Sequence, residues 1–229
     1  MKSTPQDGAG EREILTGKKA ESEENGRIRH AGSERRQEIA AAALKVIAKY
    51  GLTGATNRRI AEAVGLSPPA LYVHFDNRQE ILLVAMDLVV ERIFGWLAMS
   101  SNLNVIEHLR EIGHLHASHM AAEYEGFVIP SFEFMMSPQN LDLRRRFGQK
   151  QLQINAAVAD IIEAGKAQGS VRQDVEAHIA AWEFMMFAIG EDIAGITGRE
   201  EFITDGISLK ILERFLASIS SEPQALGAG

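Results

Sequence analysis

Between Ser33 and Phe75 the apolar side chains recur at helical spacing, and glycines interrupt the recurrence twice, at Gly51 and Gly65. This pattern constrains the fold more than any other, because several short helices in so short a run can bury their apolar faces only against one another. Ile39, Ala43, Val46, Ile47 and Tyr50 form one stripe behind Ser33, an N-cap candidate. A second helix opens after Thr56 with Ile60, Ala61 and Val64 as its apolar face, and Gly65 stops it. Ser67 caps a third, with Pro68 and Pro69 in its first turn, where a missing N–H has no intrahelical partner to lose. Ile60, Ala61, Val64, Leu66, Leu71 and Phe75 are the candidate core, which leaves Thr56, Asn57, Arg58, Arg59, Ser67, Tyr72 and His74 to face outward. A helix-turn-helix has this form, its second helix propping the third so that the N-terminal half of the third enters a major groove. Spacing alone leaves other readings open: Arg58 and Arg59 as solvated charges, Tyr72 and His74 as packing residues.

The remainder reads as helix throughout, over about 78–99, 104–124, 127–136, 139–168, 174–195 and 204–220, with no strand alternation. The expected fold class is all-α. Residues 1–32 hold only Ile14, Leu15 and Ile28 as large apolar side chains and are expected to be a disordered tail. A helical unit over 33–80, a larger body over 81–221 and a flexible tail over 222–229 complete the division. The net charge of −7 is unevenly spread: 33–80 carry seven Lys/Arg against five Asp/Glu, whereas 81–229 carry eleven against twenty. A basic unit on an acidic body permits contact with nucleic acid. The absence of cysteine excludes disulfides, thiolate metal sites and thiol nucleophiles. The longest apolar stretch, Ile81 to Val90, is cut by Asp87, so no membrane span and no secretory leader are expected. With no Gly-rich phosphate loop, H-E-x-x-H or G-x-S-x-G, neither enzymatic activity nor a cofactor is expected.

Thr56, the pair Ile60-Ala61, Gly65, Leu71-Tyr72, His74-Phe75 and Arg78 follow one another at fixed offsets within Gly51 to Leu82. This run resembles the DNA-binding segment of the TetR family, matching its pattern without a gap. The turn Gly169-Ser-Val-Arg-Gln-Asp174 is also similar to a family feature. The resemblance implies an N-terminal three-helix helix-turn-helix domain joined to a larger helical-bundle domain for ligand binding and dimerisation. It implies a cytoplasmic, nucleoid-associated homodimer on double-stranded operator DNA, most often a repressor released by a small apolar or amphipathic effector as yet unidentified. A TetR-like structural or partner-binding factor without such an effector is the alternative. By the same resemblance Thr56, Tyr72, His74 and Arg78 contact phosphates, with Asn57 beside them. Arg58, Ser67 and the start of the third helix face base edges. Pro68, Pro69, Ala70 and Val73 depart from better-known members in offering no side-chain hydrogen bonds, which throws direct readout onto Arg58 and thymine methyl contacts.

In the body, Val175, Ile179, Trp182, Met186, Ile189 and Ile193 recur at helical spacing. Leu209, Leu212, Leu216 and Ile219 form one seam of the last helix, and Ile203, Ile207, Ile211 and Phe215 another. A core helix would account for both. The resemblance favours an intersubunit four-helix bundle, with Ile179, Trp182, Met186, Ile189, Leu209, Leu212 and Leu216 at the interface. Nine of ten phenylalanines and seven of eight methionines fall in 81–229, suiting an adaptable cavity or an ordinary core equally. The cavity implied by the family is expected to draw on Phe94, Met99, His116, Met120, Phe127, Phe132, Met135, Phe147, Trp182 and Met186. His108, His114, His116 and His119 cluster near Glu107, Glu111 and Glu123, but helix-surface histidines are commoner than ligands, and no metal is expected.

Overall fold

A computed structural model describes residues 32–99, 104–137, 140–199 and 201–222, with the side chains of 119–125 outside the description. The tails expected over 1–32 and 222–229 lie outside it too, apart from Gly32 and Glu222. Among the described residues every regular element is a helix: α1 (32–54), α2 (Asn57–Ala63), α3 (Pro68–Leu71), α4 (Arg78–Leu97), α5 (Val105–Met136), α6 (Leu141–Gln168), α7 (Ala177–Ile196), α8 (Glu201–Thr204) and α9 (Ile207–Ile219). The expectation of an all-α chain holds.

The N-terminal helices pack as their periodicity requires. Ile39, Ala43 and Ile47 of α1 meet Ile60, Ala61, Leu71 and Phe75, all of them buried. Gly65 turns α2 into α3 with φ of 66°, in the left-handed region where a side chain would strain the backbone. Arg36 of α1 lies 4.2 Å over the Phe75 ring and reaches Glu80 at 2.6 Å. Glu80 in turn accepts the Asp76 N–H at 2.6 Å, while Asn77 caps α4 by accepting the Glu80 N–H at 3.0 Å. The Arg36 hydrogen bond holds the Glu80 carboxyl below its ordinary range.

This N-terminal unit does not close a core of its own. Its apolar cluster runs on through Ile81, Leu82, Ala85, Met86 and Val89 of α4 to Phe134 of α5 and Leu143 and Phe147 of α6. A second cluster, built from the far end of α4 with α5, α6, α7 and α9, fills the body.

The body differs from the sequence expectation in two places. The helices expected at 104–124 and 127–136 are one, α5, with Pro130 inside it. Buried Val128 and Phe134 flank that proline, and packing outweighs the one intrahelical bond it forfeits. The helix expected at 204–220 is α9, but a short α8 that the sequence did not predict precedes it, and Gly206 with φ of 66° starts α9 in a new direction. α9 then lies along α5, where Gly113 leaves room for Leu212: a Cβ at Gly113 would fall 2.4 Å from Leu212 Cδ2. Arg110 clamps the same approach, donating from Nε and Nη2 to the two Glu213 oxygens at 2.6 and 3.0 Å. The chain end is tied back by Val171, which bridges Ser220, and by Arg172 N–H to Ile219 O at 2.9 Å.

Gly165 lets α6 touch this closure. A Cβ there would sit 2.6 Å from Val171 Cγ2 and 2.9 Å from the Cβ of Val105, which has no freedom to move aside. Gly165→Ala is expected to lose up to ~2 kcal/mol net, since overpacking of ~1–3 kcal/mol outweighs a helix-propensity gain of ~1 kcal/mol. Thermal unfolding of the variant measures this, and an unchanged or raised melting temperature contradicts it.

Candidate nucleic-acid interface and apolar cavity

The outward side chains of the N-terminal unit form one face. Thr56 caps α2, its hydroxyl accepting the Arg59 N–H at 3.4 Å. Arg59 is engaged locally, donating to Gly54 O at 2.8 Å and lying 4.3 Å over the Tyr50 ring. Arg58 remains 81% exposed, held only by an i,i+4 contact with Glu62 at 3.1 Å. An exposed pair of this kind contributes less than about 1 kcal/mol and yields easily to a competing acceptor. Ser67 caps α3 without any side-chain bond to the helix, so its hydroxyl is not committed to that end. Asn57 donates to the Tyr72 hydroxyl, fixing these two side chains against each other across α2 and α3. Tyr72 and Val73 are exposed, Pro69 likewise, and Pro68, Ala70 and His74 are half-buried.

Arg78 is placed differently from the expectation of a phosphate contact. Its Nε donates to Ala55 O at 2.8 Å and its Nη2 to Leu52 O. Those donors point into the turn between α1 and α2 and make Arg78 a joint. The same residue is gripped from its other side, because the Leu52 N–H donates to Glu133 Oε2 of α5 at 2.6 Å. Asn140, before α6, donates to Gln79 Oε1 at 2.6 Å. The N-terminal unit thus hangs from the body by named polar contacts as well as by shared apolar core.

The body holds a cavity of about 100 Å³ between α4, α5, α6 and α7. Of the residues expected there, His116, Phe127, Phe132 and Met135 line it. The others do not. Phe94 packs on the second apolar cluster, Met99 is exposed beyond the end of α4, and Phe147 is buried in the first cluster. Trp182 and Met186 point outward from α7. The Met120 side chain lies outside the described residues. Residues not anticipated complete the wall, among them Trp96, Phe184, Met185 and Asp192, together with Ile189, which had been assigned to the dimer face. Phe184 lay off the α7 stripe in sequence, and that displacement was the available signal.

The cavity has one polar end. His116 Nδ1 lies 2.6 Å from Glu191 Oε2, and Nε2 lies 3.5 Å from Asp192 Oδ1, too poorly aligned for a hydrogen bond. Glu191 is wholly buried, and its Oε1, like Asp192 Oδ1, finds no hydrogen-bond partner among the described residues. Burial pushes the Asp192 carboxyl up to about 6, with His116 opposing the shift and Glu191 adding to it. Among the described residues no group of His, Asp or Glu is arranged to hold a metal ion.

On the outer face of α7, Ile179, Trp182, Met186, Ile193 and Ile196 are each more than a third exposed, and Ile207 and Ile211 of α9 join them. The seam expected at the dimer interface is corrected here. Leu212 and Leu216 are fully buried inside the protomer and Leu209 packs on the same cluster, because Gly113 and the Arg110–Glu213 clamp turn that seam toward α5. The other seam faces out.

Residues 39–85 match the family model described as bacterial regulatory proteins, tetR family. The transcriptional regulator PksA of Bacillus subtilis (strain 168) is 43% identical over 60 residues, which cover 26% of this chain and 29% of that one. The match therefore spans under a third of that relative's length. In fold, a TetR transcriptional regulator from Chloroflexus aurantiacus superposes with a TM-score of 0.71 at 17% identity, covering 83% of this chain and 98% of its own. The regulator FadR from Bacillus subtilis, in complex with stearoyl-CoA, gives 0.64 at 19% identity over 79% and 97%.

The Asp192 carboxyl binds its proton more tightly in the folded chain, its pKa rising from 3.8 to about 6. Stability therefore falls as pH rises between those values and stays lower above them, by up to ~3 kcal/mol. Asp192→Asn removes the ionisation. The variant is expected to melt above the parent at about pH 7.5 and level with it near pH 4. Equal melting temperatures at both values would show that the buried charge carries no cost.

Proposed function

We propose, on the match of residues 39–85 to the tetR family model, that the chain is a homodimeric, operator-binding transcriptional repressor released by a small ligand in the body cavity. The observation that carries this reading is the shared use of α4 and α5. Ile93, Trp96 and Leu97 at one end of α4 line the cavity, and Arg78 at its other end grips the Leu52 carbonyl. On α5, Phe132 and Met135 line the cavity, and Glu133 between them grips the Leu52 N–H. A ligand that changes the packing of those cavity walls acts on both holds of the DNA-binding unit at once. Release still requires that the ligand bind the two states with different affinity.

Arg58, with Ser67, Pro68, Pro69 and Ala70 at the start of α3, is assigned to base edges, and Thr56, Asn57, Tyr72 and His74 to phosphates and register. Arg58 on a guanine supplies ~1–3 kcal/mol of discrimination. A binding selection from genomic fragments, at two salt concentrations, tests the reading. A short palindrome whose base preference survives the higher salt is the expected outcome, with Arg58→Ala relaxing preference at one guanine in each half-site. Binding indifferent to sequence and lost with salt would reduce the protein to a non-specific DNA binder.

Dimerisation is assigned to the exposed stripe of Ile179, Trp182 and Met186 with Ile207 and Ile211, since two recognition helices must meet successive major grooves. Ile211 is 44% exposed in the protomer, so Ile211→Glu leaves the fold intact while placing a charge in the interface. Sedimentation is expected to show a dimer for the parent and a monomer for the variant at micromolar concentration. A variant that remains dimeric places the interface elsewhere.

A further inference from the structure

We propose that the cavity selects a small ligand with a protonated amine at one end and an apolar body at the other, the Asp192 carboxylate receiving the ammonium and Trp96, Phe127, Phe132 and Phe184 enclosing the rest. The inference rests on the reading of this cavity as the effector site and adds the chemical class of the effector.

Charge at the polar end carries the argument. One base, His116, stands against two acids, Glu191 and Asp192. His116 takes Glu191 Oε2 as its hydrogen-bonded partner at 2.6 Å and leaves Asp192 Oδ1, 3.5 Å from Nε2, without a hydrogen bond on the cavity wall. Glu191 Oε1 and Asp192 Oδ1 are both buried and unpartnered among the described residues, so acceptor capacity remains at this end. One histidine facing two carboxyl groups leaves at least one carboxylate without a counter-charge in an apolar enclosure. Such a charge is costly unless a counter-charge with hydrogen-bond donors meets it.

An ammonium supplies both. A hydroxyl supplies a donor and no charge, and a carboxylate or phosphate would add a third anion. Among the described residues the other walls offer no competing cation. α6 contributes the neutral Gln151, and Arg92 of α4 lies 5.1 Å over the Phe127 ring without forming part of the wall. The aromatic faces favour a cation as well. An apolar cavity of ~150 Å³ accepts benzene, so about 100 Å³ suits a single ring or a short chain. Long acyl thioesters of coenzyme A, whose phosphates these carboxylates repel, are disfavoured on both size and charge.

The test uses three matched probes: phenethylammonium, 2-phenylethanol and 3-phenylpropanoate. The full chain has two tryptophans, so Trp182→Phe leaves Trp96 in the cavity wall as the sole indole reporter. Quenching titrations at neutral pH are expected to rank the cation about tenfold or more tighter than the alcohol, with the carboxylate weakest. Asp192→Asn is expected to erase the advantage of the cation while leaving alcohol affinity nearly unchanged. Alcohol or carboxylate binding as tightly as the cation overturns the inference and leaves the effector reading standing. So does a preference for the cation that survives Asp192→Asn. No binding by any of the three overturns the inference and the effector reading together.

Discussion

The backbone of a single residue, Leu52, holds the two halves of the molecule in register. The Leu52 N–H donates to Glu133 of α5, and the Leu52 carbonyl accepts from Arg78 at the start of α4. Both bonds involve a charged side chain, the stronger kind of protein hydrogen bond, and both are part-buried. Leaving either backbone group unmet would cost ~1–3 kcal/mol. Because Leu52 sits at the α1–α2 junction, whatever moves α4 against α5 moves the origin of the helix-turn-helix. A linker of ordinary loop could not transmit a displacement of that kind.

The apolar interior reinforces the joint. The N-terminal helices share one hydrophobic cluster with α4, the end of α5 and the start of α6, ending at the Phe134–Phe147 contact. Close-packed interiors shift between discrete arrangements instead of deforming smoothly. A change in the cavity, whose walls belong to the same α4 and α5, therefore has a short physical route to the face proposed to meet DNA. The route runs through packed side chains and two hydrogen bonds, each open to substitution.

The polar end of the cavity costs the folded chain stability. Two carboxylates and one histidine in an aromatic enclosure are an expensive arrangement for a folded chain on its own. The raised Asp192 pKa is the direct trace of that cost. A core selected only for stability would place apolar side chains of similar volume there. The paired Glu191–His116 contact limits the expense to one carboxylate, and that carboxylate is the one on the cavity wall.

The sequence by itself determined the local elements and the family module. Gly65, the proline pair after Ser67 and the Ile60-Ala61 stripe act within a few residues of one another, so their consequences can be read without knowing what packs above them. His116, Phe127, Phe132 and Met135 were also legible as cavity candidates, because soft and aromatic side chains concentrate on that stretch of α5. Only the tertiary structure decided which face of each body helix turns inward. Both seams of α9 are apolar, and the choice between them rests on Gly113 and on the Arg110–Glu213 clamp, contacts about a hundred residues apart in the chain. The same holds for Trp182 and Met186, which face out, and for Phe184 and Asp192, which face in. Arg78 and Glu133 meet at one residue, Leu52, for the same reason. Helical periodicity assigns residues to faces, but the partner of each face is set by long-range packing that no local pattern encodes.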